Sequence, residues 1–230
     1  MPTLSIVIPA YNEERFIGTL LQQIQAVDLA SLGLSRQIIV VDDCSKDRTA
    51  DIAGAIDGVT LKRMPVNGGK GKAVRQGISM ATGELLIIQD ADLEYDPSDY
   101  LPMLRAFLEG RGDVVYGSRY LGRGRHAQQS LTAYLGGRSL SIACALATGR
   151  FLTDTVTAYK LFRRADLASV NLQTTGFELD HEITSRLLAR GLKIVEVPIR
   201  YAPRSREEGK KIGLRDWFIA LRTFYRYRNG

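Results

Sequence analysis

The chain has 230 residues, 45% hydrophobic and 24% charged, with a formal net charge of +6, which describes globular material with enough chain for one large core and too little for two. Cys44 and Cys144 lie far apart without a CxxC, and His126 and His181 stand alone, so a disulfide scaffold and a zinc pattern are excluded and a reducing cytoplasm fits. No apolar run reaches the roughly 18 to 20 residues that span a bilayer, and MPTLSIVIPAYNEE lacks a basic leader and a cleavage site, so a soluble, unprocessed protein is expected.

In chain order, short β-branched runs alternate with amphipathic stretches: LSIVI then RFIGTLLQQIQAV, QIIVV then RTADIAGAI, VTLKRM then KAVRQGISMA, ELLII then DYLPMLRAFLEG, and DVVYG. This rhythm predicts an α/β fold, a mostly parallel central sheet with helices on both faces. The segment Gly122 to Ala133, rich in glycine and arginine without periodicity, reads as a mobile loop. Beyond it the pattern predicts a helix over Gly137 to Ala147, a strand at AYKLF, a helix near Glu178 to Ala189 and the strand LKIVEVPI.

Open parallel sheets bind ligands beyond the carboxyl ends of their strands. PAYNEE, DDCSKDRT, QDADLE and GSR follow the first, second, fourth and fifth strands, so four polar loops converge on one rim. Most telling is QDADLEYDP, where Asp90, Asp92, Glu94 and Asp96 crowd together with no lysine or arginine among them. Such a knot of like charge needs solvent or a cation. Alternation in an extended segment puts Asp90 and Asp92 on one side, suited to a hard divalent ion that keeps positions open for phosphate oxygens. Asp96 reads as a helix cap before Pro97, and Asp47 likewise caps the helix after the second strand. For Asp42 and Asp43 two uses stay open: holding a base or ribose, or satisfying turn amides. NGGKGKAVR fits neither GxxxxGK[ST] nor GxGxxG, because Val74 takes the third glycine position.

The ordered series IPAYNEE, VVDDCSKDRT, NGGKGKAVRQG, QDADLEYDP, VVYGSRY, TDTVTAYKLFRR, GFELDHEI and VPIRYAPRSREEGKKI resembles family 2 glycosyltransferases of the GT-A fold, in the branch of dolichyl-phosphate and polyprenyl-phosphate mannose or glucose synthases. The resemblance covers about residues 4 to 212 and leaves 213 to 230 as a C-terminal amphipathic helix. It implies an inverting, Mg²⁺- or Mn²⁺-dependent transfer of a sugar from a nucleotide donor, GDP-mannose or UDP-glucose, to a polyprenyl or dolichyl phosphate. By position it assigns Pro9, Tyr11, Glu13 and Asp43 to the nucleoside; Asp90 and Ala91 to the donor, with Lys70 as a further donor contact; and Asp90, Asp92 and Glu94 to the metal. Glu94 stands where relatives often carry glutamine. Asp92, Asp154 and Arg119 fall at the reacting centre; Arg119, Arg138 and Ser141 would grip the acceptor phosphate; and Arg204, with Lys210 or Lys211, would neutralise the donor diphosphate.

Two other acceptor or activity classes stand beside this reading: a glycan hydroxyl acceptor, with Asp154 or Asp180 as its base, and a sugar-nucleotide-binding protein without turnover. An ionised phosphate acceptor needs no strong base, whereas a hydroxyl does. The basic residues gather in two blocks, Arg111 to Arg138 and Arg186 to Arg228, and no nucleic-acid reading motif accompanies them. In the tail, Leu214, Trp217, Phe218, Leu221, Phe224 and Tyr225 share a helical face edged by Arg215, Arg222 and Arg226, which suits a membrane surface, a membrane-protein partner, the domain's own core or a homodimer interface. Peripheral attachment at the cytoplasmic face of a membrane is the expected location.

Overall fold

Along TLSIVIPA every residue from Leu4 onward is buried, because this strand (β1, Thr3–Ala10) runs through the middle of a sheet covered on both faces. The twofold alternation of a strand divides its side chains: Leu4, Ile6 and Ile8 enter one core, while Val7 enters the other. The computed structural model describes residues 1–121, 129–203 and 214–229.

The remaining elements in order are α1 (Ile17–Ala26), β2 (Ser35–Asp42), α2 (Thr49–Gly54), β3 (Val59–Arg63), α3 (Lys70–Met80), β4 (Leu85–Ile88), α4 (Tyr100–Leu108), β5 (Val114–Ser118), α5 (Leu131–Thr148), β6 (Lys160–Arg163), α6 (Arg164–Ala168), α7 (Leu179–Ala189), β7 (Ile194–Pro198) and α8 (Leu214–Tyr227). The sheet has the order β3-β2-β1-β4-β6-β5-β7. All its pairings are parallel except those of β6, which lies antiparallel between β4 and β5. The expected α/β architecture and all seven expected strands are present.

On one face Leu20, Leu21 and Ile24 of α1 pack with Met103, Leu104 and Phe107 of α4; on the other, Ala73 and Val74 of α3 pack with Ile183 and Leu187 of α7. Each fully buried side chain of this size contributes about 1.5–3 kcal/mol. Gly77 of α3 lets that helix lie directly on the sheet, since a Cβ there would collide with Val7. A smaller cluster, Leu140, Cys144, Ala220 and Phe224, joins α5 to α8.

Two segments differ from expectation. Helix α5 begins at Leu131, six residues before the expected Gly137, because Ser130 caps it by accepting a hydrogen bond from the Ala133 N–H at 3.2 Å. The tail of the segment read as a loop is therefore helical, and its stretch 122–128 lies outside the described residues. Helix α8 divides the residues expected on one face: Phe224 is buried, whereas Phe218 and Tyr225 are exposed.

Candidate active site

The carboxyl ends of β1, β2, β4 and β5 form one rim. Because β6 runs the other way, its amino end reaches the same rim, and with it the approach segment Thr153–Tyr159. Asn12, Cys44 and Leu93 follow β1, β2 and β4, and each adopts the left-handed backbone, with φ of 56°, 64° and 58°. That conformation is unfavourable for a residue with a side chain, so the neighbourhood must hold it in place. It does so by lacing the first two loops together: Asn12 N–H donates to Ser45 Oγ at 2.9 Å, Lys46 N–H to Asn12 Oδ1 at 2.8 Å, and Glu13 N–H to Thr49 Oγ1 at 2.8 Å. Asp47 lies one residue ahead of the N-cap Arg48 rather than at it, and accepts from the Thr49 N–H at the start of α2 at 3.0 Å.

Asp43 lies within this lacework. Its carboxylate accepts from the N–H groups of Gly68 at 2.8 Å and Gly69 at 2.7 Å and so fixes the entry to α3. Gly69 has φ of 87°, and a Cβ there would run into the Thr175 carbonyl. Pro9 pairs within the sheet opposite Val41, and Tyr11 is 36% exposed at its edge.

The acidic knot does have a cation, brought from twenty residues earlier. Lys70 Nζ, at the start of α3, lies 2.8 Å from Asp90 Oδ1 and 3.2 Å from Asp180 Oδ2, and Asp180 Oδ1 in turn lies 2.9 Å from Lys160 Nζ. Four alternating charges thus tie β4, α3, α7 and β6 together. Burial raises the Asp90 pKa, and Asp92 and Asp180 add to that effect against Lys70. At Asp180 burial acts the same way, but Lys160 and Lys70 prevail and hold its pKa far below the usual carboxylate range. Burial pulls the Lys160 pKa down. Beneath the knot Gln89 is fully buried: its Oε1 accepts from the hydroxyls of Tyr100 and Tyr159 at 2.6 Å each, and its Nε2 donates to the Asp90 carbonyl at 2.9 Å. Ala91 is buried, and Asp96 caps the short turn Pro97–Asp99 as expected, accepting from Ser98 N–H.

A second charged centre lies at the end of β5. Asp154, fully buried, accepts from the Arg119 backbone N–H at 3.0 Å, from Nε at 2.6 Å and from Nη2 at 2.7 Å. Arg138 Nη1 donates to the Thr153 carbonyl at 2.8 Å, and Ser141 Oγ to the same oxygen at 3.3 Å. Both guanidinium groups flank the Tyr120 ring, Arg119 at 5.3 Å and Arg138 at 6.0 Å from its centroid. Arg119, Arg138 and Ser141 are therefore brought together around one short segment. Arg204, Lys210 and Lys211 lie outside the described residues.

Two participants were assigned no role from the sequence. Glu196 of β7 accepts from Thr153 N–H at 2.7 Å, Thr153 Oγ1 at 2.8 Å and Asp154 N–H at 2.9 Å, and burial raises its pKa. Lys160 is the other. A single charged residue inside the apolar strands YKLF and IVEVP is the sequence signal that marks both.

The donor set bears on a divalent cation. Asp90, Asp92 and Glu94 do not converge into a cage: among the described residues no three His, Cys, Asp or Glu side chains are grouped to hold an ion. Asp90 faces Lys70, Asp92 Oδ1 accepts from Glu94 N–H at 3.1 Å, and Glu94 is hydrogen-bonded to Tyr201. Half-buried carboxylates in ones and twos, rather than a full cage, fit Mg²⁺ or Mn²⁺ held by one or two protein oxygens and completed by phosphates. Asp92, with Asp90 or Glu94, meets that requirement.

The sequence profile of Glycosyl transferase family 2 matches residues 5–170, across all four rim loops. The chain belongs to glycosyl transferase family 2. This family 2 glycosyltransferase is 31% identical over 228 residues to a dolichol-phosphate mannosyltransferase of Pyrococcus furiosus, covering 97% of the chain and 63% of that relative. It is 27% identical over 231 residues to the glycosyltransferase AglJ of Haloferax volcanii, covering 98% and 73%. Its fold is that of glucosyl-3-phosphoglycerate synthase from Mycobacterium tuberculosis bound to uridine diphosphate, with a TM-score of 0.74, 23% identity, and coverage of 99% of this chain and 80% of that one. The chain thus spans less than two thirds of the Pyrococcus relative. Among the described residues no helix is long and apolar enough to cross a membrane.

Proposed function

We propose that this family 2 glycosyltransferase transfers a hexose, mannose or glucose, from a nucleoside diphosphate to the phosphate of a polyprenyl or dolichyl carrier, working peripherally at the cytoplasmic face of a membrane. The observation that carries the reading is the convergence of Arg119 and Arg138 on the Thr153–Asp154 segment, while the two candidate bases, Asp154 and Asp180, are both already engaged by cations. Asp154 gives both oxygens to Arg119, and Asp180 is held ionised between two ammonium groups at a pKa far below that of an effective base. A hydroxyl acceptor needs a proton removed, whereas a phosphate acceptor arrives ionised and needs paired donors, which arginine supplies. The Pyrococcus relative, a dolichol-phosphate mannosyltransferase by name, supports the same acceptor class.

In this mechanism an acceptor phosphate oxygen attacks the anomeric carbon from the face opposite the leaving group. The new bond joins that carbon to the carrier phosphate, the bond to the donor's β-phosphate oxygen breaks, and the nucleoside diphosphate leaves with the electron pair. Arg119 and Arg138 orient the nucleophile, Ser141 supports Arg138 through the shared Thr153 carbonyl, and the Gln89 amide fixes the backbone of Asp90 beneath the donor. Tyr11, Glu13 and Asp43 border the nucleoside end. Asp92 with Asp90 or Glu94 would hold Mg²⁺ or Mn²⁺, which supplies charge neutralisation at the departing diphosphate; the Mycobacterium synthase has been seen with Mn²⁺ and UDP-glucose, which supports that choice.

The test is a panel of GDP-mannose and UDP-glucose with polyprenyl phosphate and either metal, scored by release of nucleoside diphosphate and by the anomeric configuration of the product. Release that requires the lipid phosphate and gives inverted product is expected. Equal turnover on a glycan hydroxyl without lipid phosphate would replace the reading.

A further inference from the structure

Helix α5 is apolar on both sides. Its inner stripe, Leu140 and Cys144, is buried against Ala220 and Phe224 of α8. Its outer stripe is not covered: Leu131 is 59% exposed, Leu135 55%, Ile142 55% and Leu146 84%. At about 100° per residue these four fall within about 60° of arc and span about 22 Å of helix. Phe151, 55% exposed, extends the stripe past the helix end and lies under Arg138, whose guanidinium is 5.6 Å from its ring centroid. Across the groove Trp217 of α8 donates to Ser139 of α5 at 2.8 Å, and Phe218 beside it is 63% exposed. A helix that is apolar all round is stable where something other than water covers it, and an exposed patch of this extent marks a contact surface.

Charge identifies what covers it. From Val114 to Thr153 the sequence holds five arginines and no aspartate, glutamate or lysine. Arg119 is neutralised by Asp154, but Arg138 and Arg150, at the middle and just past the end of α5, form no ion pair with a carboxylate among the described residues. A second copy meeting this face about a two-fold axis would set the same arginine-bearing, acid-free helix α5 against itself. A bilayer carrying anionic headgroups answers both features at once, because acyl chains take the leucine and phenylalanine side chains while lipid phosphates take the arginines.

We infer that α5, through Leu131, Leu135, Ile142 and Leu146 with Phe151 and Phe218, lies along the surface of an anionic bilayer and is the face by which the domain docks there. Helix α8 then serves mainly as the brace that holds α5 against α7, rather than as the lipid contact its own sequence suggests. The inference draws on the acceptor reading only for orientation: Arg138, on the same helix, reaches the headgroup layer, where a carrier phosphate sits.

The experiment is vesicle flotation of the full chain with phosphatidylglycerol–phosphatidylcholine and pure phosphatidylcholine vesicles, comparing wild type with the combined variant Leu135→Ser, Ile142→Ser and Leu146→Ser. Partition onto anionic vesicles should fall by about tenfold or more, while binding of donor nucleotide and turnover on a short-chain, water-soluble polyprenyl phosphate stay within about twofold of wild type. Leu146→Ser alone, at the most exposed position with little packing to lose, should fall about threefold and serves if the combined variant folds poorly. Unchanged flotation of both variants overturns the inference, as does a wild-type dimer in sedimentation velocity that the combined variant disperses. Absence of turnover on any lipid phosphate with flotation behaving as stated would overturn the acceptor reading and leave this one standing.

Discussion

Arg119 and Asp154 are joined three times over, by the backbone N–H, Nε and Nη2 of the arginine, at 3.0, 2.6 and 2.7 Å, with the aspartate fully buried. The pair lets a guanidinium sit preorganised at the rim, since its rotamer is fixed before any acceptor arrives. Removing one partner leaves a buried charge uncompensated, at a cost of about 3–5 kcal/mol. Asp154→Asn is therefore expected to destabilise the fold by an amount of that order in urea unfolding and to lower kcat/KM by about a hundredfold or more. Arg119→Lys should recover little of either, because an ammonium cannot make the two parallel bonds. An Asp154→Asn protein with wild-type turnover would remove this pair from the reacting centre.

Glu196 lies one step behind that pair. Its carboxylate gathers three donors from Thr153 and Asp154, and the Thr153 carbonyl in turn receives Arg138 and Ser141. Glu196→Gln keeps one accepting oxygen but points an amide N–H₂ at a backbone N–H. If Glu196 sets the arginine pair, the variant should raise KM for the acceptor phosphate by about tenfold while KM for the donor stays near wild type. A purely structural role predicts loss of both in step with stability. Steady-state kinetics with each substrate varied in turn separates the two.

The strands were legible because each is a continuous apolar run, the pattern demanded when helices cover both faces of a sheet. The cap at Asp96 was legible too, since capping is decided within three residues, and the same reading at Asp47 fell one residue ahead of the true N-cap, Arg48. Local pattern could not place Asp154 at the rim, because that depends on β6 running antiparallel, a choice made by the whole sheet; its place there came from family resemblance alone. Nor could it pair Asp90 with Lys70 and Asp180, which are twenty and ninety residues away in sequence and meet only through the packing of α3 and α7 on one face. The start of α5 was hidden by Gly136 and Gly137, poor helix formers inside a helix that is held by its contact with α8.

Asp90 is tied to Lys70 at 2.8 Å, whereas Asp92 is half-buried at the turn after β4, where it accepts from the Glu94 N–H. A metal that bridges the domain and a diphosphate should therefore depend on Asp92 more than on Asp90. Asp92→Ala is expected to lower turnover by about a hundredfold or more and to abolish the gain in donor affinity that Mg²⁺ or Mn²⁺ gives the wild type in calorimetry, with the thermal transition little changed. Donor binding in the wild type that is identical with and without chelator would sink the metal role.

His181 of α7 provides a test of stability against pH. It is buried edge-on against Phe224 of α8, with ring centroids 4.8 Å apart, and its Nδ1 has no partner among the described residues. Burial lowers its pKa to about 4; Asp180 opposes that shift, and Lys160 and Lys70 reinforce it. The folded protein therefore holds this imidazole neutral at a pH where the unfolded chain, with a pKa near 6.5, takes up a proton. The resulting stability is complete above about pH 6.5 and is lost as pH falls toward about 4, on the order of 3 kcal/mol over that window. Asp90 and Glu196, with raised pKa values, act in the opposite sense, so the informative quantity is the difference between wild type and His181→Phe. Denaturant unfolding at pH 7.5 and pH 5 should show the wild type losing more stability between the two than the variant does, because phenylalanine keeps the contact with Phe224 and has no proton to gain. Parallel losses in the two proteins would mean that the brace between α7 and α8 does not depend on a neutral His181.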